Sequence, residues 1–269
     1  MAGHVNIAPA SPTIARPLLE IDALRCHFGG LKALDGASFN VAAHGVTGLI
    51  GPNGAGKTTL FNCISGLLRK TSGSVHFDGI DITYARPDAI SQFGLVRTFQ
   101  LARGCVRMTV FEHLMLYGRD QRGETFFRGL LGGAEVHAQE QALRERSFET
   151  ARGLKLSHVL DNLVTDLSGG QKKLLEIGRA LMAEPKLILL DEPMAGVNPA
   201  LVEQIGEHLN AIRAKGMTIL LIEHEMALIE QLCDHVVVMA EGKFLTEGTF
   251  SQVTANAEVQ EAYLGMTVQ

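Results

Sequence analysis

The sequence of 269 residues contains only four cysteines, Cys26, Cys63, Cys105 and Cys233, and none of them forms a C-x-x-C pair with another. Cysteines this sparse and this widely spaced exclude a disulfide framework and argue against a zinc site. The pattern is typical of small apolar residues in a reducing compartment.

Long apolar runs and clusters of basic residues are also missing. The most apolar runs, 187–190 and 236–240, have the length of strands and fall far below the roughly 20 residues that cross a bilayer. Lys and Arg number 24 against 29 Asp and Glu, which gives a net charge of -5. General nucleic-acid binders are more basic, so we do not expect nucleic acid as a partner.

The first 17 residues have neither the basic segment nor the apolar segment of a secretory signal. We expect residues 1–17 to form a disordered leader. The rest of the chain has enough apolar residues, 46% before the 29 glycines are added, to exclude disorder for most of its length. At about 150 residues per domain, the length predicts one large domain or two small ones.

Alternating apolar and polar residues at 18–22 and 37–41 predict an antiparallel β layer. Residues 46–50 then form an apolar run that leads into glycines. Beyond the glycines, apolar residues recur at helical spacing at Leu60, Phe61, Ile64, Leu67 and Leu68. This order predicts a strand, a glycine-rich loop and a helix.

The second half of the chain predicts a helical insertion followed by a parallel sheet. Charged residues are dense between about 108 and 163, and 136–154 has a helical pattern. Two apolar runs, 187–190 and 218–222, flank a helical pattern at 201–212, as buried parallel strands joined by a crossover helix do. The fold class is therefore α/β, and residues 236–245 close it with a predicted hairpin.

Residues 51–59 read GPNGAGKTT and match the phosphate-loop pattern G-x-x-x-x-G-K-[ST]. Glycines let successive backbone N–H groups curl around phosphate oxygens, and the following helix directs its positive end at the anion. Lys57 is placed to neutralise the β and γ phosphates, and Thr58 to offer its hydroxyl to Mg2+. The predicted ligands of this loop are the phosphates of a nucleotide together with Mg2+, bound by Gly51, Pro52, Asn53, Gly54, Ala55, Gly56, Lys57, Thr58 and Thr59.

Two carboxylates follow the apolar run 187–190 at the carboxyl end of a predicted parallel strand. Ligands of open α/β sheets bind at that edge. Asp191 suits the Mg2+ shell, and Glu192 suits the orientation of a water that attacks the γ-phosphate. A pair of acidic residues alone would indicate a helix N-terminus, but the phosphate loop favours the catalytic interpretation.

Residues 167–171 read LSGGQ and precede a helical pattern. One interpretation is a serine N-cap with a flexible glycine pair. The other is a second anion site, made by Ser168 and the N–H groups of Gly169 and Gly170 at a helix N-terminus.

These motifs, in this order from about residue 18 onward, resemble the ATP-binding cassette ATPases. The resemblance implies an α/β phosphate-loop core with a mostly parallel sheet, an antiparallel β layer and an inserted helical subdomain. It also implies that two cassettes pack head to tail. Each ATP would then be enclosed between the phosphate loop of one subunit and the LSGGQ segment of the other, which we call the signature. Ser168, Gly169, Gly170 and Gln171 would then contact the nucleotide held by the other subunit.

The resemblance assigns further residues one by one. Phe28 resembles the aromatic residue that stacks on adenine. Gln100, in RTFQ, resembles the glutamine that contacts Mg2+ and the attacking water and relays to the membrane partner. His224, directly after the strand at 218–222, resembles the histidine that contacts the γ-phosphate. Asn198 departs from the family pattern, which has an aspartate there, so its role at the dimer interface stays open.

Within the family, the likeness is strongest to the ATPase subunits of branched-chain amino-acid importers. It rests on FGGLKALDGASF at 28–39, VRTFQ at 96–100, MTVFEHL at 108–114, LLDEPMAGVNP at 189–199, IEHEM at 222–226 and EAYLG at 261–265. The same features occur in cassettes for urea and other small polar solutes, so the cargo stays open.

This likeness implies a peripheral ATPase on the cytoplasmic face of the inner (plasma) membrane. Its partners would be a second ATPase subunit, identical or paralogous, two integral-membrane permeases and, indirectly, an extracytoplasmic solute-binding protein. We expect the cassette to span 18–252, with its helical subdomain at about 101–170, and 253–269 to form a family-specific tail.

Two classes of non-transport cassette ATPase are the alternatives. DNA-maintenance ATPases separate the phosphate loop from the signature by long coiled coils or zinc modules, whereas no sustained heptads and no cysteine clusters lie between Lys57 and Ser168. Translation-associated members carry two tandem cassettes, and this chain has one. The importer interpretation is therefore favoured.

The phosphate-loop assignment predicts that Lys57→Ala weakens MgATP binding and abolishes hydrolysis, because the loop loses the cation that offsets the β and γ phosphate charge. Nucleotide binding and phosphate release are measured for the variant beside the wild type. An unchanged hydrolysis rate would remove the assignment.

Overall fold

The computed structural model describes residues 16–98, 107–119 and 134–264. Gln100 lies outside the described residues, as do residues 1–15 of the predicted leader and the last five residues of the predicted tail. The strands, in chain order, are β1 (Leu19–Phe28), β2 (Leu31–Val41), β3 (Val46–Ile50), β4 (Ser72–Phe77), β5 (Ile80–Asp81), β6 (Leu95–Arg97), β7 (Leu187–Asp191), β8 (Thr218–Ile222), β9 (His235–Ala240) and β10 (Lys243–Gly248).

The α-helices of the described residues are α1 (Lys57–Ile64), α2 (Pro87–Phe93), α3 (Val110–Leu116), α4 (Ala134–Gly153), α5 (Gly169–Met182), α6 (Pro199–Ala214), α7 (Met226–Leu232), α8 (Phe250–Thr254) and α9 (Ala257–Leu264). No helix in this part of the chain is both long enough and apolar enough to cross a membrane. The predicted helix at 136–154 is confirmed as α4, and the crossover helix as α6.

The predicted antiparallel layer is a four-stranded sheet in the order β2-β1-β4-β5. Leu19 pairs with Val41, so the two alternating segments of the sequence are neighbours. Both strands are longer than the alternating segments of the sequence. In β1 the alternation stops at an irregularity, and the strand continues beyond it. Ala23 has a positive φ of 44° at a register shift, and its N–H donates to the Ser38 hydroxyl at 2.7 Å.

The core sheet has the order β10-β9-β3-β8-β7-β6, and its strands are parallel except β10, which pairs with β9 as the predicted hairpin. Both faces of β7 are buried. Leu187 and Leu189 belong to the core shared with the antiparallel sheet and α1, whereas Ile188 and Leu190 belong to the core shared with α5 and α6. Burial on both faces explains why these strands have continuous apolar runs.

The prediction for the helix after the phosphate loop is wrong at its end. The pattern extends it to Leu68, but α1 ends at Ile64. Gly66 turns the chain with a φ of +72°, and the Leu67 N–H bonds back to the Asn62 carbonyl at 2.9 Å. This is the usual way a glycine ends a helix, and it leaves Leu67 49% exposed.

The helical insertion has a core of its own. Helices α3, α4 and α5 pack together through buried apolar side chains that include Val110, Leu114, Ala151 and Leu174. The same core continues onto β7 and β8, so the insertion is packed against the core sheet through shared apolar contacts. The boundaries of the helical subdomain stay a prediction.

The strand register brings the ends of β3, β7 and β8 to one edge of the core sheet. Ile222, the last residue of β8, lies beside Leu49 of β3 and beside Asp191, the last residue of β7. The phosphate loop, Glu192 and His224 therefore begin at the same carboxyl edge. Arg97, at the end of β6, lies beside Leu189 of β7.

Candidate active site

The phosphate loop connects β3 to α1, and its first residue packs closely against the backbone of β9. Gly51 has a φ of +151°, and a Cβ at this position would lie 2.1 Å from the Met239 carbonyl oxygen of β9. Only glycine fits so close to that backbone. At the tip of the loop, Asn53 and Gly54 are exposed, so the loop is anchored on the sheet side and open on the other.

Lys57 occupies the inside of the loop. Its ammonium donates to the Gly51 carbonyl at 2.7 Å and to the Pro52 carbonyl at 3.0 Å, and the residue is buried. Burial lowers the pKa of Lys57, against the attraction of the Glu192 and Asp191 carboxylates, which raises it. The loop thus holds a cation close enough to two carboxylates for their charge to affect its pKa.

Asp191 has a partner that the sequence analysis missed. The Arg97 guanidinium donates to the Asp191 carboxylate at 2.7 Å and to the Asn62 side-chain oxygen at 2.6 Å, and it lies over the Phe61 ring. The Arg97 side chain is only 8% exposed. The sequence pattern contained no signal for this pair, because Arg97 appears there only within the VRTFQ segment and Asp191 lies on another strand.

Glu192 and His224 are in direct contact. The His224 Nε2 and the Glu192 Oε1 are 2.7 Å apart. Glu192 has a positive φ of 48°, which is rare for a residue with a side chain, and its N–H bonds to the Ile222 carbonyl at 3.0 Å. Such backbone strain clusters at functional sites, where the surrounding structure holds it in place.

A cleft of about 650 Å3 joins the predicted metal ligands to the signature helix. Thr58, Asp191 and Glu192 line it together with Gly169 and Lys172 of α5. The Thr58 hydroxyl and the Asp191 carboxylate are hard oxygen donors of the kind Mg2+ takes, so the residues present fit this ion. Among the described residues no group of three His, Cys, Asp or Glu side chains could hold a metal ion.

The signature begins helix α5, as both interpretations require. Ser168 is the N-cap, its hydroxyl accepts the Gln171 N–H at 3.3 Å, and the Gln171 side chain accepts the Ser168 N–H at 2.9 Å. This capping box confirms the structural interpretation. Ser168 and Gly169 are exposed while Gly170 is buried, and anion binding by these residues stays a prediction.

Phe28 and Asn198 are both exposed. Phe28 ends β1, 49% exposed, directly before a turn, as a residue that stacks on a base requires. Asn198 caps α6, because its side-chain oxygen accepts the Leu201 N–H at 3.0 Å. Asn and Asp cap helices equally well, so this departure from the family pattern keeps the local structure.

Comparison with known proteins agrees with this geometry. A family model described as ABC transporter matches residues 34–195. The chain is 41% identical to a probable branched-chain amino acid transport ATP-binding protein, LivG, of Methanocaldococcus jannaschii, over 92% of this chain and 97% of that one. It is 36% identical to the high-affinity branched-chain amino acid transport ATP-binding protein BraF of Pseudomonas aeruginosa, over 94% and 99%.

A solved structure has the same fold. A crystal structure of an ATP-binding cassette of an ABC transporter in its ADP conformation matches with a TM-score of 0.81 and 40% identity. The match covers 93% of this chain and all of that one.

The position of Phe28 predicts that Phe28→Ala weakens ATP binding by about 1–3 kcal/mol, the range for aromatic stacking on a base. Leu31→Ala is the matched control, because Leu31 pairs with Phe28 across the turn and is 67% exposed. Titration with ATP and with inorganic triphosphate separates base recognition from phosphate recognition. Equal affinity of the wild type for both ligands would exclude stacking on adenine.

Proposed function

The chain belongs to the ABC transporter family as an ATP-binding, ATP-hydrolysing subunit, and we propose that it powers the import of branched-chain amino acids. The names of the LivG and BraF relatives, which align over nearly their whole length, support this cargo. The observation that carries the mechanism is the contact between Glu192 and His224 at the sheet edge that also bears the phosphate loop.

ATP binding begins at the phosphate loop. The β and γ phosphates lie against the backbone N–H groups of residues 53–59 and the ammonium of Lys57, and adenine stacks on Phe28. Thr58 and Asp191 would hold Mg2+, with Gln100 as a further ligand, and the ion would offset the phosphate charge. Because Lys57 is already held inside the loop by two carbonyls, ATP meets a cation that is positioned in advance.

Hydrolysis depends on the Glu192 carboxylate. It accepts a hydrogen bond from the attacking water and orients it toward the γ-phosphate. The His224 ring, 2.7 Å away, fixes the carboxylate and reaches the same phosphate. Gln100 completes the contacts to the water.

The second half of each site comes from another subunit. Ser168 and Gly169 are exposed at the N-terminus of α5, an element that attracts anions. In a head-to-tail dimer, identical or paralogous, they close over the γ-phosphate held by the partner's phosphate loop. ATP then bridges the subunits, and hydrolysis releases them.

A separate cleft of about 580 Å3 is the proposed docking place of the permease subunits. Its lining includes Leu67 and Leu116, which are 49% and 43% exposed. Arg97 and Thr98 line this cleft and also the cleft that holds Asp191. A movement at the permease contact can thereby reach Asp191, the carboxylate proposed to hold Mg2+. Docking to the permeases would keep the chain at the cytoplasmic face of the inner membrane.

In this mechanism the cargo does not contact the ATPase subunit, so no residue of this chain selects the solute. Urea or another small polar solute is therefore the alternative cargo. Uptake decides between them. Proteoliposomes that contain this chain with its two permeases, supplied with the solute-binding protein, are expected to take up leucine when ATP is present. Uptake of urea without uptake of branched-chain amino acids would contradict the proposed cargo.

The bridging role of ATP predicts that Glu192→Gln accumulates as a dimer with MgATP. The amide keeps the shape of the side chain but does not activate water, so the γ-phosphate stays between the two subunits. Light scattering or size-exclusion chromatography measures the mass, with ADP as the control ligand. Adding Ser168→Arg should dissolve the dimer, because a bulky cation opposes the positive end of α5.

The dimer is tested over rising protein concentration, so that weak association is not mistaken for none. A Glu192→Gln protein that stays monomeric at saturating ATP and high protein concentration would overturn the sandwich mechanism. Equal dimerisation with ADP would overturn it as well.

A further inference from the structure

Glu223 is a buried carboxylate at the carboxyl edge of the core sheet, where the proposed site lies. The proposed mechanism gives this carboxylate no role. It follows the last residue of β8 and precedes His224, and only 5% of the residue is exposed. Burial raises the pKa of Glu223, against the two backbone N–H groups that bond it and lower its pKa. A carboxylate at such a position costs folding free energy unless its hydrogen bonds compensate.

The two carboxylate oxygens bond to two different segments of the chain. Oε1 accepts the N–H of Met194 at 3.0 Å, and Oε2 accepts the N–H of His224 at 3.2 Å. Met194 lies two residues beyond Glu192, in the loop between β7 and α6. Glu223 therefore joins the segment that carries Glu192 to the segment that carries His224.

This bridge is one of several contacts that fix Glu192. The Glu192 N–H bonds to the Ile222 carbonyl at 3.0 Å, and the Ala195 N–H bonds back to the Glu192 carbonyl at 3.1 Å. Together with the Met194 bond, these contacts hold the backbone on both sides of a residue whose φ is +48°. A strained conformation persists only where its surroundings hold it this way.

A carboxylate is the side chain that this bridge requires. Both of its oxygens accept, whereas an amide has one accepting oxygen and an NH2 group that only donates. In Glu223→Gln, one of the two backbone N–H groups would face another donor. Hydrogen bonds to an ionised acceptor are also about twice as strong as neutral ones.

We propose that Glu223 is a positioning residue that sets the orientation of Glu192 relative to His224 for the attack of water. It does not contact the substrate, and it acts through the backbone of Met194 and His224. The proposal rests on the proposed roles of Glu192 and His224.

The test replaces Glu223 with Gln in the full chain and separates kcat from the KM for ATP. We expect kcat to fall by at least about tenfold, because small misplacements of catalytic groups cost up to about a hundredfold. The KM and the binding of a fluorescent ATP analogue should stay within about twofold, since the phosphate loop is untouched. Glu223→Asp keeps the charge but is too short to span both N–H groups, so its kcat should fall as well.

Thr218→Val is the matched control. Thr218 is the first residue of the same strand, is 1% exposed, and accepts the His44 N–H through its hydroxyl at 2.9 Å. The variant loses a hydrogen bond from a backbone N–H to a side chain at the opposite end of β8. We expect its melting temperature to fall while its kcat stays at the wild-type value.

The outcomes separate this inference from the proposed function. A wild-type chain without ATPase activity would contradict the proposed function itself. With an active wild type, a wild-type kcat in folded Glu223→Gln would overturn the inference alone. If Glu223→Gln does not fold, the kcat of Glu223→Asp decides in the same way. If Thr218→Val loses as much kcat as the Glu223 variant, the loss comes from lower stability of the strand and the inference is overturned.

Discussion

The geometry of the candidate site depends on one constraint, the register of the three neighbouring parallel strands β3, β8 and β7. Hydrogen bonding aligns Leu49 and Asp191 with Ile222, so β3, β8 and β7 end together. Each strand is followed within two residues by a predicted site residue, and both faces of the strands are buried. A slip of one residue would turn every side chain of a strand to the opposite face, so the apolar cores on both sides hold the site in register.

Three charged groups at this edge have specific partners. Lys57 is held by loop carbonyls, Asp191 by Arg97, and Glu192 by His224. In the proposed mechanism, ATP exchanges partners with these charged groups, which are already in position before it binds. Such prearrangement is how enzymes of phosphoryl transfer obtain most of their catalysis, because the protein contributes position and charge. The additional bond network of Glu223 fits the same principle.

The sequence predicts the parts whose signal is local. The buried strands, the phosphate loop and the helix capped by Ser168 follow from short patterns, and the structure confirms those elements. Two kinds of feature escape such patterns. The end of α1 and the bulge at Ala23 depend on single backbone angles, which apolar spacing does not record. The pairing of Arg97 with Asp191 spans 94 positions, so only the fold brings these residues together.

The central claim is that each ATP is bound by the phosphate loop of one subunit and the signature of another, and mixing two inactive variants tests it directly. Lys57→Ala keeps an intact signature, and Ser168→Arg keeps an intact phosphate loop. ATPase activity is measured for each variant alone, for their equimolar mixture and for the wild type over the same range of protein concentration. The account predicts little activity in either variant alone and recovered activity in the mixture, because a mixed dimer contains one complete site. A mixture that stays inactive while the wild type hydrolyses ATP, or a Ser168→Arg protein with wild-type activity, would contradict it.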